Sequence, residues 1–268
     1  MNMSPLKVGQ EFLVTIKRIG INGEGIVYYK KQAVFIPGTL VGEEVVATCT
    51  RVAGGYAEAE LVRVKRKSKH RVQPACEVYG QCGGCQLQHM SYQEQLRIKR
   101  DAVSQAIERY TNLDPEECDI RPTIGMKDPY NYRNRAQMPV GYDEDGVMVG
   151  FYSMNSRELV NVTDCDVQYE EINTVINHAV DLLDDYKVFA YAPKTKKGTA
   201  RYIVVRRGFK TGEVQVTFVF ANNEFRKMNA LAKDLMKYCP DVKSVYLNIN
   251  NEDTHEIFGK EMKHIAGE

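Results

Sequence analysis

Three cysteines stand close together in this chain: Cys76, Cys82 and Cys85 have the spacing C-x5-C-x2-C, with Gly83 and Gly84 between the last two. Thiolates are soft anionic ligands, and a glycine pair lets the backbone fold tightly enough for two of them to meet at one centre. Crowding of this kind signals a metal, but the spacing does not choose which. A [4Fe-4S] cluster needs a fourth ligand, and Cys165, closing the strand-like run LVNVTDC, is a suitable distant one. Zinc is the competing reading, because Cys85-x3-His89 is compatible with a tetrahedral site of three cysteines and one histidine. Buried free thiols are the third. Cys49, Cys118 and Cys239 stand alone and read as structural. The cysteines number seven, and in the reducing cytoplasm expected for a chain without a signal-peptide core such a cluster argues for a metal or a cluster more than for disulfides.

The second chemical signal is cationic. Arg63, Lys65, Arg66, Lys67, Lys69 and Arg71 follow one another with no acid among them, and a second acid-free stretch runs from Lys194 through Arg201, Arg206 and Arg207 to Lys210. The net charge is only +1 because the acids sit elsewhere, at 114–119 and 164–185. Segregated charge of this kind suits a polyanion, with a merely solvated basic surface as the alternative.

These groups need elements to position them. Residues 1–66 carry five short strand-like runs with glycine punctuation, the pattern of a small OB-type barrel. Gly20, Gly23 and Gly25 read as turn glycines, since a strand follows them where a phosphate loop would open a helix. The cysteine segment, 67–91, has no periodicity of its own. Ser91 and Glu94 then have capping-box spacing, and Tyr92, Leu96, Val103, Ile107 and Tyr110 recur at helical intervals, which predicts a helix over 92–110 within a segment 92–122. From 123 to 268 the pattern is α+β. Hairpins are expected at Asp145-Gly146 and at 210–212, helices near 167–186 and 223–238, and a strand at VKSVYLNIN. The chain then stops after a strand-like pattern with no closing element. No run approaches the roughly 20 apolar residues of a membrane span, and the first residues lack a signal-peptide core.

The run from Cys76 to His89, followed by Tyr92, Gln95, Leu96 and Lys99, resembles the iron–sulfur signature of the RNA (uracil-5-)-methyltransferases, most closely those of the 23S rRNA type. Tyr132-Arg133-Asn134-Arg135-Ala136 is similar to that family's Y-R-x-R-A strand, and the first 66 residues resemble its TRAM barrel. The resemblance implies a [4Fe-4S] cluster on Cys76, Cys82, Cys85 and Cys165. It implies RNA, 23S rRNA in particular, as partner. Arg133 and Arg135 alternate onto one face of a strand, which suits phosphate contacts, with an ordinary exposed basic face as the alternative. Tyr28, Tyr29 and Phe35 are candidates for stacking on unpaired bases, or for filling the barrel.

Family members carry a nucleophilic cysteine in a D-P-P-R-x-G-like segment and bind S-adenosylmethionine on a Rossmann-like domain. Neither feature occurs in these 268 residues. The expectation is therefore a multidomain chain, a TRAM barrel followed by an α+β domain carrying the cluster, with the Rossmann-like domain absent. It would be the RNA-binding, iron–sulfur N-terminal part of a 23S rRNA methyltransferase, inactive alone, with S-adenosylmethionine bound only in a full-length protein. A stand-alone, non-catalytic RNA-binding module with an Fe-S or zinc site is the alternative. The helix over 92–110 is expected to pack on the missing domain and so to remain partly uncovered, or to self-associate.

Overall fold

In the computed structural model, residues 6–144, 146–154, 156–254 and 256–268 are described. They form two units, one made of residues up to 80 together with 85–127, the other of 81–84 together with 128–268.

The first unit opens with β1 (Glu11–Thr15), β2 (Arg18–Ile19), β3 (Gly25–Tyr29), β4 (Gln32–Ile36), β5 (Glu44–Val52) and β6 (Tyr56–Arg66), in sheet order β1-β5-β6-β4-β3-β2. All pairs are antiparallel except β4 with β6. Alternation sends Phe12, Val27, Val34, Ile36, Val45, Ala47, Ala57 and Ala59 to one core. Cys49 joins them at 1% exposure, a structural thiol. The β3–β4 turn has only two residues, Lys30 and Lys31, with φ of +46° and +72°. A two-residue hairpin of the type I′ form demands positive φ at both positions, and here it holds two lysines at the tip. Among the described residues the sheet has six strands rather than five, because the short β2 separates from β1.

The helix α1 (Tyr92–Tyr110) forms where the periodicity places it. Its start differs from the capping-box expectation. The Ser91 side chain makes no cap bond; the Ser91 N–H donates to the His70 carbonyl, and Glu94 turns instead to Arg97, whose Nε lies 2.8 Å from Oε2. Neighbouring basic groups thus outcompete the backbone N–H for this carboxylate. Only Glu94 is buried in α1, and Val103 is 51% exposed. Leu96 and Ile107 are half-buried, because the chain returns along this face. Thr123 Oγ1 bonds the Leu96 carbonyl at 2.9 Å, and Arg100 Nε the Ile120 carbonyl at 3.0 Å. Cys118 lines the shallow groove between helix and returning segment.

The second unit is a seven-stranded sheet of order β13-β12-β11-β10-β7-β8-β9. Its strands are β7 (Arg135–Asp143), β8 (Gly146–Tyr152), β9 (Leu159–Asn161), β10 (Ala200–Arg207), β11 (Val214–Phe220), β12 (Val242–Ile249) and β13 (Glu261–Gly267). Only β11 and β12 run parallel, and α3 (Met228–Tyr238) connects them. The other helix, α2 (Glu170–Asp185), buries Ile172, Val175, Ile176, Ala179, Leu182 and Leu183. Asp145 of the expected turn lies outside the described residues, while Gly146 opens β8 in antiparallel pairing with β7. α3 begins later than position 223, because Asn222 Oδ1 accepts from the Glu224 N–H and turns the chain first. Cys239 is 5% exposed after α3, and burial pushes its thiol up to about 11, an inert group. Among the described residues no helix is long and apolar enough to cross a membrane.

Candidate nucleic-acid interface and cysteine loop

β6 delivers the first basic run. Arg63, Lys65 and Arg66 sit at its exposed end, and Lys67 and Lys69 follow in the exposed segment after it. Among the described residues, none of these five cations has a carboxylate within 4.0 Å. Five cations projecting from one strand end and its extension form a strip with free donors.

Arg71 is different. Its guanidinium meets the Glu43 carboxylate side-on, Nε to Oε1 at 2.6 Å and Nη2 to Oε2 at 2.7 Å, and Nη2 also donates to the Gly38 carbonyl at 2.7 Å. Glu43 is fully buried and accepts two further bonds, from Leu40 N–H at 2.9 Å and Ser68 N–H at 3.2 Å. Burial alone pushes the Glu43 carboxyl up; the Arg71 fork and the two backbone donors outweigh it and hold it below its ordinary value. Arg71 therefore ties the start of the cysteine segment to the barrel, and its fork is not available to a phosphate.

The same segment is fastened a second time. Tyr79 Oη donates to the Gln86 carbonyl at 2.9 Å and lies 2.7 Å from His89 Nδ1. The Tyr79 hydroxyl thus bridges the Gln86 carbonyl and the His89 ring. His89 is 3% exposed, and burial, then the nearby Arg71 charge, lowers its pKa, so it is neutral. The residue offered as a zinc ligand thus serves here as a loop fastener. Replacing Tyr79 with phenylalanine removes both contacts and leaves the buried His89 Nδ1 without its partner. The expected cost is about 1–3 kcal/mol, read in chemical denaturation, and an unchanged midpoint would show the loop is held by other contacts.

Each candidate ligand has a local setting. Cys76 N–H donates to Gln88 Oε1 at 3.2 Å in the first unit. In the second, Cys82 pairs with Ser153 in an isolated bridge, and Gly84 N–H donates to Cys82 Sγ at 3.3 Å. Gly83 is required here: a Cβ on it would stand 2.8 Å from the Tyr152 carbonyl oxygen, to which its own N–H bonds at 3.0 Å. The Cys165 carbonyl accepts from the Gln168 N–H ahead of α2. A set of thiolates with an N–H···S donor suits iron–sulfur chemistry. As the side chains stand, however, no group of three or more His, Cys, Asp or Glu among the described residues is arranged to hold a metal ion.

Of the barrel aromatics, Tyr29 packs on Phe12 and Phe35 on Tyr56, with ring centroids 5.3 and 5.6 Å apart. Tyr28 alone is open, at 58% exposure, with Arg18 Nη2 3.5 Å from its hydroxyl. In the second unit, Arg133 pairs with Gln168 in an isolated bridge and Arg135 opens β7. Arg201 and Arg207 of the second basic stretch are spent internally. The first donates to the Asn250 and Glu252 carbonyls at 2.7 and 3.0 Å; the second bonds Glu171 at 2.8 Å and lies over the Tyr169 ring.

Residues 5–62 match the TRAM domain family. Over 264 residues, 98% of this chain, the sequence is 46% identical to an uncharacterized RNA methyltransferase of Bacillus cereus, of which it covers 57%. It is 44% identical over 268 residues to another from Listeria monocytogenes, covering 58% of that protein. The fold is that of the tRNA (uracil-54, C5)-methyltransferase of Pyrococcus abyssi, solved in complex with S-adenosyl-L-homocysteine, with a TM-score of 0.69, 22% identity, and coverage of 96% of this chain and 55% of that one.

These likenesses correct the expectation of an inactive, N-terminal iron–sulfur part lacking its Rossmann-like methyltransferase domain. Its relatives are RNA methyltransferases along 98% of the chain, and its fold is that of a methyltransferase solved with the spent cofactor. The chain spans 57% of the first relative's length, so missing motifs in these 268 residues say nothing about the protein's activity. From barrel to last strand, this is a sequence similar to RNA methyltransferases, and it opens with a TRAM domain.

Proposed function

We propose that the protein takes part in S-adenosylmethionine-dependent methylation of RNA at uracil C5. The observation that carries this reading is the identity, at 46%, to an RNA methyltransferase across nearly the whole chain. Uracil C5 is a poor nucleophile until C6 is attacked, so the reaction needs covalent activation of the base, and S-adenosylmethionine supplies the methyl group. The residues described here bind and orient the RNA. Arg63, Lys65, Arg66, Lys67 and Lys69 line up phosphates along the barrel edge, and exposed Tyr28 offers a ring face to an unpaired base. Arg71 keeps that edge in place.

The test is methyl transfer from labelled S-adenosylmethionine to transcribed RNA, followed by nucleoside analysis. 5-Methyluridine in 23S rRNA is the expected product. Label on a different base would overturn the uracil assignment, and 5-methyluridine in tRNA alone would replace the ribosomal substrate.

A [4Fe-4S] cluster on Cys76, Cys82, Cys85 and Cys165 belongs to the same reading and rests on the resemblance of the Cys76-to-His89 run to the iron–sulfur signature of the RNA (uracil-5-)-methyltransferases. Methyl transfer moves no net electrons, so such a cluster would order a loop that has no core of its own. Anaerobically purified protein is expected to contain about four irons per chain, with Cys165→Ser losing most of them. Stoichiometric zinc without iron, or full iron in Cys165→Ser, would sink the assignment.

A further inference from the structure

The register of the second sheet brings together cations that are far apart in sequence. In the antiparallel β7–β10 pair, Arg135 stands directly opposite Arg206. Residues facing each other across an antiparallel ladder share a face and hold their Cβ atoms about 4.5–5.5 Å apart, and like charges placed so are destabilising. The face is fixed by the neighbour: Arg207 reaches Glu171 at the start of α2, so alternation sends Arg206, and with it Arg135, to the opposite side. Arg133 lies two residues before Arg135, and its N–H and C=O continue the extended backbone by bonding Val167 and Tyr169. It therefore falls on the same side.

Three arginines thus converge at one end of this sheet face. Among the described residues none of them has a carboxylate within 4.0 Å, whereas Arg71, Arg97 and Arg207 are all paired. The polar residues alongside them in register are neutral, Gln137 on β7 and Gln215 opposite Arg206 on β11. The β10–β11 turn carries Phe209, 74% exposed, three residues beyond Arg206. An unpaired like-charge pair that the fold does not need for its own stability is explained by an anion shared between the two guanidinium forks. An open aromatic ring in the adjoining turn suits a base attached to that anion.

We propose that Arg133, Arg135 and Arg206 form a phosphodiester-binding site on this face, holding the backbone of a single-stranded RNA segment whose base stacks on Phe209. The proposal rests on the RNA reading above and adds a second contact surface to the barrel edge.

The experiment measures binding of a single-stranded RNA oligonucleotide to the wild-type protein, Arg206→Gln and Phe209→Ala over a range of salt concentrations, with melting temperatures for each. Arg206→Gln is expected to lower the salt slope by about 0.7, one released counterion on a single strand, while its melting temperature stays level or rises because the repulsion is gone. Phe209→Ala is expected to weaken binding about 5- to 150-fold, the loss of one stacked base, with the slope unchanged. An unchanged slope in Arg206→Gln, or a slope loss accompanied by a lower melting temperature, would overturn the site. Inorganic phosphate at constant ionic strength separates the sources. If phosphate alone stabilises wild-type but not Arg206→Gln, and RNA binding is equal in both, the site takes a free anion and the RNA assignment fails. Absence of any RNA binding by the wild-type protein would overturn both readings. A lowered slope in Arg206→Gln without uracil methylation would leave this site standing and sink only the methylation reading.

Discussion

Replacing Glu43 with alanine is expected to destabilise the barrel by about 3–5 kcal/mol, the range for breaking a buried ion pair by removing one partner. The carboxylate is fully buried and receives four hydrogen bonds, two from Arg71 and one each from Leu40 and Ser68. Its removal leaves a half-buried guanidinium without a counter-charge and two backbone donors without partners. The folded pKa of Glu43 lies below its unfolded value, about 4.3, so its contribution is complete above that value and is lost as the pH falls through the folded one. His89, also lowered, acts in the same direction from about 6.5 downward. Acid therefore weakens the attachment of the cysteine segment in two stages. Urea midpoints between pH 7 and pH 4 measure this, and a midpoint independent of both pH and Glu43 would refute the ion pair's structural role.

The second large effect concerns the exposed cations. Changing Arg66, Lys67 and Lys69 together to glutamine is expected to lower the salt slope of RNA binding by about 2–3, since each phosphate contact contributes about 0.7–0.9. Stability should barely move, because these side chains are exposed and have no carboxylate within 4.0 Å among the described residues. Arg71→Gln serves as the contrast: it should lower stability, since Arg71 is bonded to Glu43 and Gly38. If the triple variant binds with an unchanged slope, RNA lies elsewhere on the protein.

Much of this was legible in the sequence. Helical spacing alone located α1 at Tyr92–Tyr110, and period-two runs located β5 and β6, because one-dimensional periodicity records which face of an element is buried. The residues of the cysteine motif were equally plain, as thiolate chemistry depends on residue type and near spacing. The sequence could not tell one arginine from another. Arg71 looks like the last member of a basic run, yet it is claimed by Glu43, 28 positions earlier. Arg206 and Arg207 are neighbours with opposite fates, one exposed beside Arg135 and the other bonded to Glu171. His89 has the spacing of a metal ligand and is held by Tyr79 instead. What a cation binds depends on which charges lie within a few ångströms of it, and strand register and loop closure set those distances. Composition and periodicity located the elements and named the candidate ligands; only the tertiary structure decided which charges were left without a carboxylate partner, because strand register and loop closure set the distances between them.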